Sequence, residues 1–122
     1  MSKKILVIDD DSAINDLLKL IFTREGYETD TASDGQIGFE KAVTDHYDLV
    51  TMDIKMPNWN GIEAIGSLEI VRPELKVIVV SGFIDEHEND MIADSPLVID
   101  ILKKPFNVAD LIAIVKKQFG ED

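Results

Sequence analysis

Five acidic, hydroxyl and amine side chains stand where chemistry is possible. Asp9 and Asp10 follow one apolar run, Asp53 ends a second, Ser81 ends a third and Lys104 follows a fourth. Carboxylates gathered within a few ångströms repel one another and raise each other's pKa values unless a cation neutralises them. The donors available at such a meeting point are hard oxygens, which favours Mg²⁺ over zinc or copper. That ion takes one or two carboxylates, keeps several waters and is completed by a phosphate oxygen. A carboxylate held beside it can attack phosphorus and form an aspartyl-phosphate. Lys104 would then bring an ammonium, and Ser81 a hydroxyl, to the phosphoryl oxygens.

These residues are far apart in the chain, so the elements between them must bring them together. Residues 5–8 (Ile-Leu-Val-Ile) form a continuous apolar run stopped by three aspartates, as in a strand buried on both faces. Ile14, Leu17, Leu18, Ile21 and Phe22 then mark one helical face, with Asp11 or Ser12 as cap and Gly26 as stop. Residues 27–32 alternate more loosely and carry Glu28 and Asp30, which predicts an edge strand. A turn at Asp34-Gly35 leads to a short helix over 37–43, and residues 48–53 give a third strand.

Residues 56–61 read as a loop, and Ile62, Ile65, Leu68 and Val71 as a helix ending before Pro73. A fourth strand covers 77–80, a weakly periodic helix 85–93, and a fifth strand 98–102. Asn107 caps the last helix, whose inward positions are Val108, Leu111, Ile112, Val115 and Phe119. Five strands alternating with five helices imply a doubly wound parallel sheet with right-handed crossovers. Sites in such sheets form beyond the carboxyl ends of the strands, where all five singled-out residues lie. In the strand order 2-1-3-4-5, strands 1 and 3 are neighbours and their terminal carboxylates converge.

The 122 residues predict one domain over 1–122, with no internal repeat and no linker. Twenty-four acidic against twelve basic residues give a net charge of −12, which argues against binding nucleic acid or an anionic membrane. The absence of cysteine excludes disulfides, thiolate metal sites and cysteine nucleophiles. No run approaches the ~20 apolar residues of a membrane span, and the short apolar stretch after Lys4 is no signal-peptide core. A soluble, cytoplasmic protein is expected.

The segments Ile-Leu-Val-Ile-Asp9-Asp10, Asp48-Leu-Val-Thr-Met-Asp53-Ile-Lys-Met-Pro57, Gly61-Ile-Glu63, Val-Ile-Val-Val-Ser81-Gly82 and Lys104-Pro105-Phe106 are specific in this order and spacing. Along almost its whole length the chain resembles the CheY-like receiver domains of bacterial two-component response regulators. That resemblance implies a flavodoxin-like (βα)5 fold with strand order 2-1-3-4-5. It implies that Asp53 accepts a phosphoryl group from the phosphohistidine of a histidine kinase or histidine phosphotransfer domain. Mg²⁺ would be bound directly by Asp10 and Asp53, by Asp9 largely through water, and by the Lys55 backbone carbonyl. Lys104 would pair with the phosphoryl oxygens, its bond to Pro105 being cis. Phosphorylation would change a surface that binds a downstream protein. Such a receiver catalyses its own phosphorylation and dephosphorylation and turns over no external metabolite, so it is not classed as an enzyme. A stand-alone regulator and a piece of a longer protein both fit.

Simpler roles suffice elsewhere. Asp11 and Ser12 read as helix caps, Lys103 and residues 85–90 as solvated, Trp59 as an exposed loop residue, and His46 and His87 as lacking ligand spacing. Compared with similar receivers the chain departs at Ile101, where an aromatic is usual, and at residues 93–97. These departures predict a switch in which Ser81 and the loop after it respond to phosphorylation without an aromatic flip. Lys55 and Phe83 flank the path of a hydrolytic water in similar receivers and are expected to prolong the phosphoryl state.

Three rivals fit less well. A haloacid-dehalogenase-like phosphatase would carry Asp-x-Asp after strand 1. A flavin-binding module would need a Ser/Thr/Gly-rich phosphate loop where the three aspartates stand. A pseudo-receiver would not need the complete acidic set.

Overall fold

Strict alternation along the apolar strands sends successive side chains to opposite sheet faces, and here both faces are covered by helices. The computed structural model describes residues 2–57, 59–82 and 84–121. The elements run β1 (Lys4–Ile8), α1 (Ser12–Arg24), β2 (Glu28–Ala32), α2 (Gly35–Thr44), β3 (Leu49–Met52), β4 (Lys55–Met56), β5 (Trp59–Asn60) and α3 (Gly61–Val71). They continue with β6 (Val77–Ser81), α4 (Glu86–Ala93), β7 (Val98–Lys103) and α5 (Val108–Gln118). One five-stranded parallel sheet has the order β2-β1-β3-β6-β7, which is 2-1-3-4-5 once the short β4/β5 ladder is set aside. That antiparallel ladder occupies part of the segment read from sequence as a loop.

Leu6, Ile8, Val50, Met52, Val77 and Val79 pack under Ala42 of α2, Ile65 and Leu68 of α3 and Ile92 of α4. Ile5, Val7, Leu49, Ile78 and Val80 pack under Leu18 and Phe22 of α1 and Leu111 and Val115 of α5. The edge position of β2 is as expected. The helical faces are corrected in part. On α1 the buried stripe is Asn15, Leu18 and Phe22, while Leu17 is 42% exposed, because the sheet meets a stripe rotated from the apolar centre of the helix. Val71 at the end of α3 is likewise exposed, and on α5 Ile114 rather than Ile112 packs against the core.

Asp11 caps α1 by accepting the Ala13 N–H at 2.9 Å, Asn60 caps α3 at Glu63, and Asn107 caps α5 at Ala109 and Asp110. Trp59 is half-buried, not the exposed loop residue expected. Its ring lies against Gly35, where a Cβ would come within 2.0 Å of it, and 6.3 Å from the Phe39 ring. Gly61 also makes a close approach: a Cβ there would sit 2.6 Å from Ile54 Cβ and 2.7 Å from its Cα.

At the opposite end of the sheet from the strand tips, both tyrosines are tethered. The Tyr27 hydroxyl donates to Glu121 at 2.6 Å and the Tyr47 hydroxyl to Asp30 at 2.7 Å. Burial, reinforced by these carboxylates, pushes both phenols above the ordinary tyrosine value. A pKa raised in the folded state gives stability that is fully present below the unfolded value of about 10 and is lost as pH rises beyond it.

Two outcomes follow. In an alkaline titration followed by ultraviolet difference spectroscopy, tyrosinate is expected only well above pH ~10 and together with loss of the native circular dichroism. Independent ionisation of either ring near that pH in the folded protein would contradict this. Gly61→Ala is expected to lower stability by about 2 kcal/mol in urea unfolding, because the new methyl meets backbone that has nowhere to move.

Candidate functional site

β1 and β3 are in register from Ile5↔Leu49 to Ile8↔Met52, so the residues that follow them, Asp9 and Asp53, leave the sheet side by side. The Asp9 N–H donates to the Ala32 carbonyl at 3.1 Å and the Asp53 N–H to the Ile8 carbonyl at 3.0 Å, extending the ladders to both acids. At the far side of the site Ser81 is in register with Lys103, and the Lys104 N–H donates to the Ser81 carbonyl at 2.9 Å. The Lys104–Pro105 peptide is cis.

Lys104 Nζ stands 2.7 Å from Asp9 Oδ2 and 3.0 Å from Asp53 Oδ2, bridging the two carboxylates. Their remaining oxygens accept backbone N–H groups, Asp9 Oδ1 from Asp11 and Asp53 Oδ1 from Lys55, each at 2.9 Å. Asp9 and Asp53 are only 3% and 5% exposed, whereas Asp10 is exposed. One oxygen from each of the three lies within 4.8 Å of the others. Ser81 is fully buried, and its hydroxyl has no hydrogen-bond partner among the described residues.

The electrostatics leave room for a cation. Burial raises the Asp9 pKa, and the Lys104 and Asp11 donors offset this only in part. Burial also works against the Lys104 ammonium, but its bonds to both aspartates outweigh that and hold its pKa above the ordinary lysine value. One ammonium thus serves two buried carboxylates with a third beside them. An all-oxygen set of this kind suits a hard divalent ion such as Mg²⁺.

Asp9, Asp10, Asp53 and Lys104 converge here, with Ser81 placed beside Lys104 through the backbone, and Lys104 rather than Lys103 is the bridging lysine. Lys55 does more than expected: its ammonium pairs with Glu88 Oε2 at 2.6 Å. Glu88 also forms a capping box with Asp85 at the start of α4. The Lys55 side chain is therefore tied to α4, and Phe83, its expected companion in shielding, lies outside the described residues. Ile101 is half-buried and packs against the core cluster containing Ile84, Ile92 and Leu97. His46 and His87 are exposed and stand apart from the site.

Asn15 belongs to the site although its spacing in the sequence does not mark it. Its side-chain amide donates to the Asp9 carbonyl at 2.8 Å and to the Ala32 carbonyl at 3.3 Å. The available signal was a polar residue one turn after the Asp11 cap and in step with Leu18 and Phe22.

Known proteins resemble this chain in sequence and in fold. Residues 5–116 match the family described as response regulator receiver domain. The chain is 32% identical over 119 residues to sporulation initiation phosphotransferase F of Bacillus subtilis, covering 96% of this chain and 94% of that protein. It is 34% identical over 120 residues to the alkaline phosphatase synthesis transcriptional regulatory protein PhoP of the same species, covering 95% of this chain but 48% of PhoP. The chain thus spans about half the length of that regulator.

Among solved structures, a CheY-like response regulator receiver domain protein from Methanospirillum hungatei superposes with a TM-score of 0.92 at 31% identity, covering 98% and 95% of the two chains. The response regulator TrrA of Thermotoga maritima, solved in complex with Mg²⁺-BeF, gives 0.80 at 35%, covering 95% and 98%. The chain belongs to the response regulator receiver domain family, and its function is that of a phosphoacceptor receiver in two-component or phosphorelay signalling.

Proposed function

We propose that Asp53 is the phosphoacceptor and that residues 1–122 act as a single receiver domain. The observation that carries this reading is the Lys104 ammonium held between Asp9 and Asp53, with the Asp10 carboxylate alongside. Asp9, Asp10, Asp53 and the Lys55 backbone carbonyl would hold Mg²⁺, which when bound neutralises charge between the acids and an incoming phosphoryl group. A carboxylate oxygen of Asp53 attacks phosphorus as the phosphorus–nitrogen bond of a phosphohistidine breaks, and the imidazole leaves with the bonding pair and takes up a proton. The product is an acyl phosphate on Asp53.

Each neighbouring group then has a task. Lys104 is positively charged and already within hydrogen-bond reach of Asp53, so it can turn from carboxylate to phosphoryl oxygen with little movement. The unpartnered Ser81 hydroxyl supplies a second donor. Drawing Ser81 toward the new charge displaces the segment leading to α4, and the half-buried Ile101 leaves the β7 surface to respond without an aromatic flip. Partners are a histidine kinase or histidine phosphotransfer domain upstream and a protein target downstream.

The net charge of −12 opposes direct nucleic-acid binding by this chain. Among the described residues no helix is long and apolar enough to cross a membrane, in keeping with a cytoplasmic partner for a kinase. The chain transforms no external metabolite, so we class it as a signalling receiver and not as an enzyme.

Incubation with Mg²⁺ and a small acyl-phosphate donor is expected to add one phosphoryl group, seen by mass spectrometry, and none to Asp53→Asn. Equal labelling of that variant would move the acceptor elsewhere. Lys104→Met is expected to lower metal-free stability by about 3 kcal/mol, because it leaves two buried carboxylates uncompensated. Saturating Mg²⁺ should restore part of that loss, measured by urea unfolding with and without the ion. A variant as stable as the wild type would show that the bridge carries no such burden.

A further inference from the structure

Asp9 is restrained on every side: its N–H by Ala32, one carboxylate oxygen by Asp11, the other by Lys104, and its carbonyl by Asn15. Asp10 is exposed, and no hydrogen bond or ion pair among the described residues holds its side chain. Its position therefore depends on the peptide that joins it to Asp9, and the carbonyl of that peptide is the one Asn15 grips at 2.8 Å.

Asn15 is only 5% exposed, on the face of α1 that otherwise presents Leu18 and Phe22 to the sheet. Both groups facing its nitrogen are carbonyls, so the amide can have only this orientation. Its oxygen is left buried without a partner among the described residues. A leucine would pack there without an orphaned acceptor, so what the amide adds is the pair of N–H bonds.

We propose that Asn15 is a positioning residue for the metal site. By tying the Asp9 carbonyl to the end of β2 it locks the Asp9–Asp10 peptide and delivers the otherwise untethered Asp10 carboxylate to Asp9 and Asp53. The inference rests on the reading that these acids hold Mg²⁺. Asn15 touches neither the ion nor the phosphoryl group, and acts through the backbone of residues that do.

The test is a Mg²⁺ titration of the wild type, Asn15→Leu and Asn15→Ser, followed by the NMR amide shifts of Asp10 and Asp53, with thermal midpoints measured in parallel. Asn15→Leu is expected to weaken Mg²⁺ binding roughly 10-fold, the usual effect of removing a group that orients a ligand. Asn15→Ser, which keeps one donor, should fall between it and the wild type. At saturating Mg²⁺ the Asp10 shift of the variants should approach that of the wild type. If Asn15→Leu does not fold, Asn15→Ser decides alone. Mg²⁺ affinities equal to the wild type's in the folded variants, with only the thermal midpoint lowered, would make Asn15 a structural residue and overturn the inference. A wild type with no saturable shift at Asp10 or Asp53 would instead remove the metal reading, and the inference with it.

Discussion

Two carboxylates buried side by side are unstable unless a positive charge compensates them, and in this protein the rest of the site is arranged around that constraint. Lys104 meets it by reaching Asp9 and Asp53 together from the strand-end loop after β7. The compensation is incomplete, since Asp9 remains harder to ionise than an ordinary aspartate. In the function proposed above, this uncompensated charge would draw a second cation, and a phosphoryl group arriving with it would find an ammonium already beside Asp53. Structural necessity and chemical competence come from the same three side chains.

The constraint can be met only because the sheet sets the register. Parallel pairing of β1 with β3, and of β6 with β7, puts Asp9 beside Asp53 and Ser81 beside the Lys103–Lys104 turn. The two cores that cover the sheet hold those strands rigid, while the site itself sits on the short segments beyond them. Around it, links of different stiffness run outward. Asn15 ties the Asp9 segment to β2 through backbone carbonyls, whereas Lys55 ties the Asp53 segment to α4 through an ion pair that is partly exposed. α4 buries only Ile92, and its first turn is held by a capping box and by that pair, so it is lightly anchored and joined to the segment that follows Asp53.

The parts legible in the sequence were those written in local pattern. Apolar runs ending in Asp, Asp, Ser and Lys specified a parallel sheet with its chemistry at the carboxyl ends of the strands, and the resemblance to receivers at the Lys-Pro pair distinguished Lys104 from Lys103. Leu17 and Val71 were misplaced because helical periodicity names an apolar face but not the angle at which the sheet meets it. Trp59 looked exposed because its cover comes from Gly35 and Phe39, distant in sequence. The Lys55–Glu88 pair spans 33 residues and Asn15 bonds to backbone carbonyls, contacts that leave no trace in residue spacing.

The most direct measurement is a crystal structure of the protein grown with Mg²⁺ at saturating concentration. A single ion is expected with oxygens of Asp10 and Asp53 at about 2.0–2.1 Å and Asp9 in its immediate surroundings. An ion bound elsewhere, or none with Asp9 and Asp53 still bridged by Lys104, would contradict it.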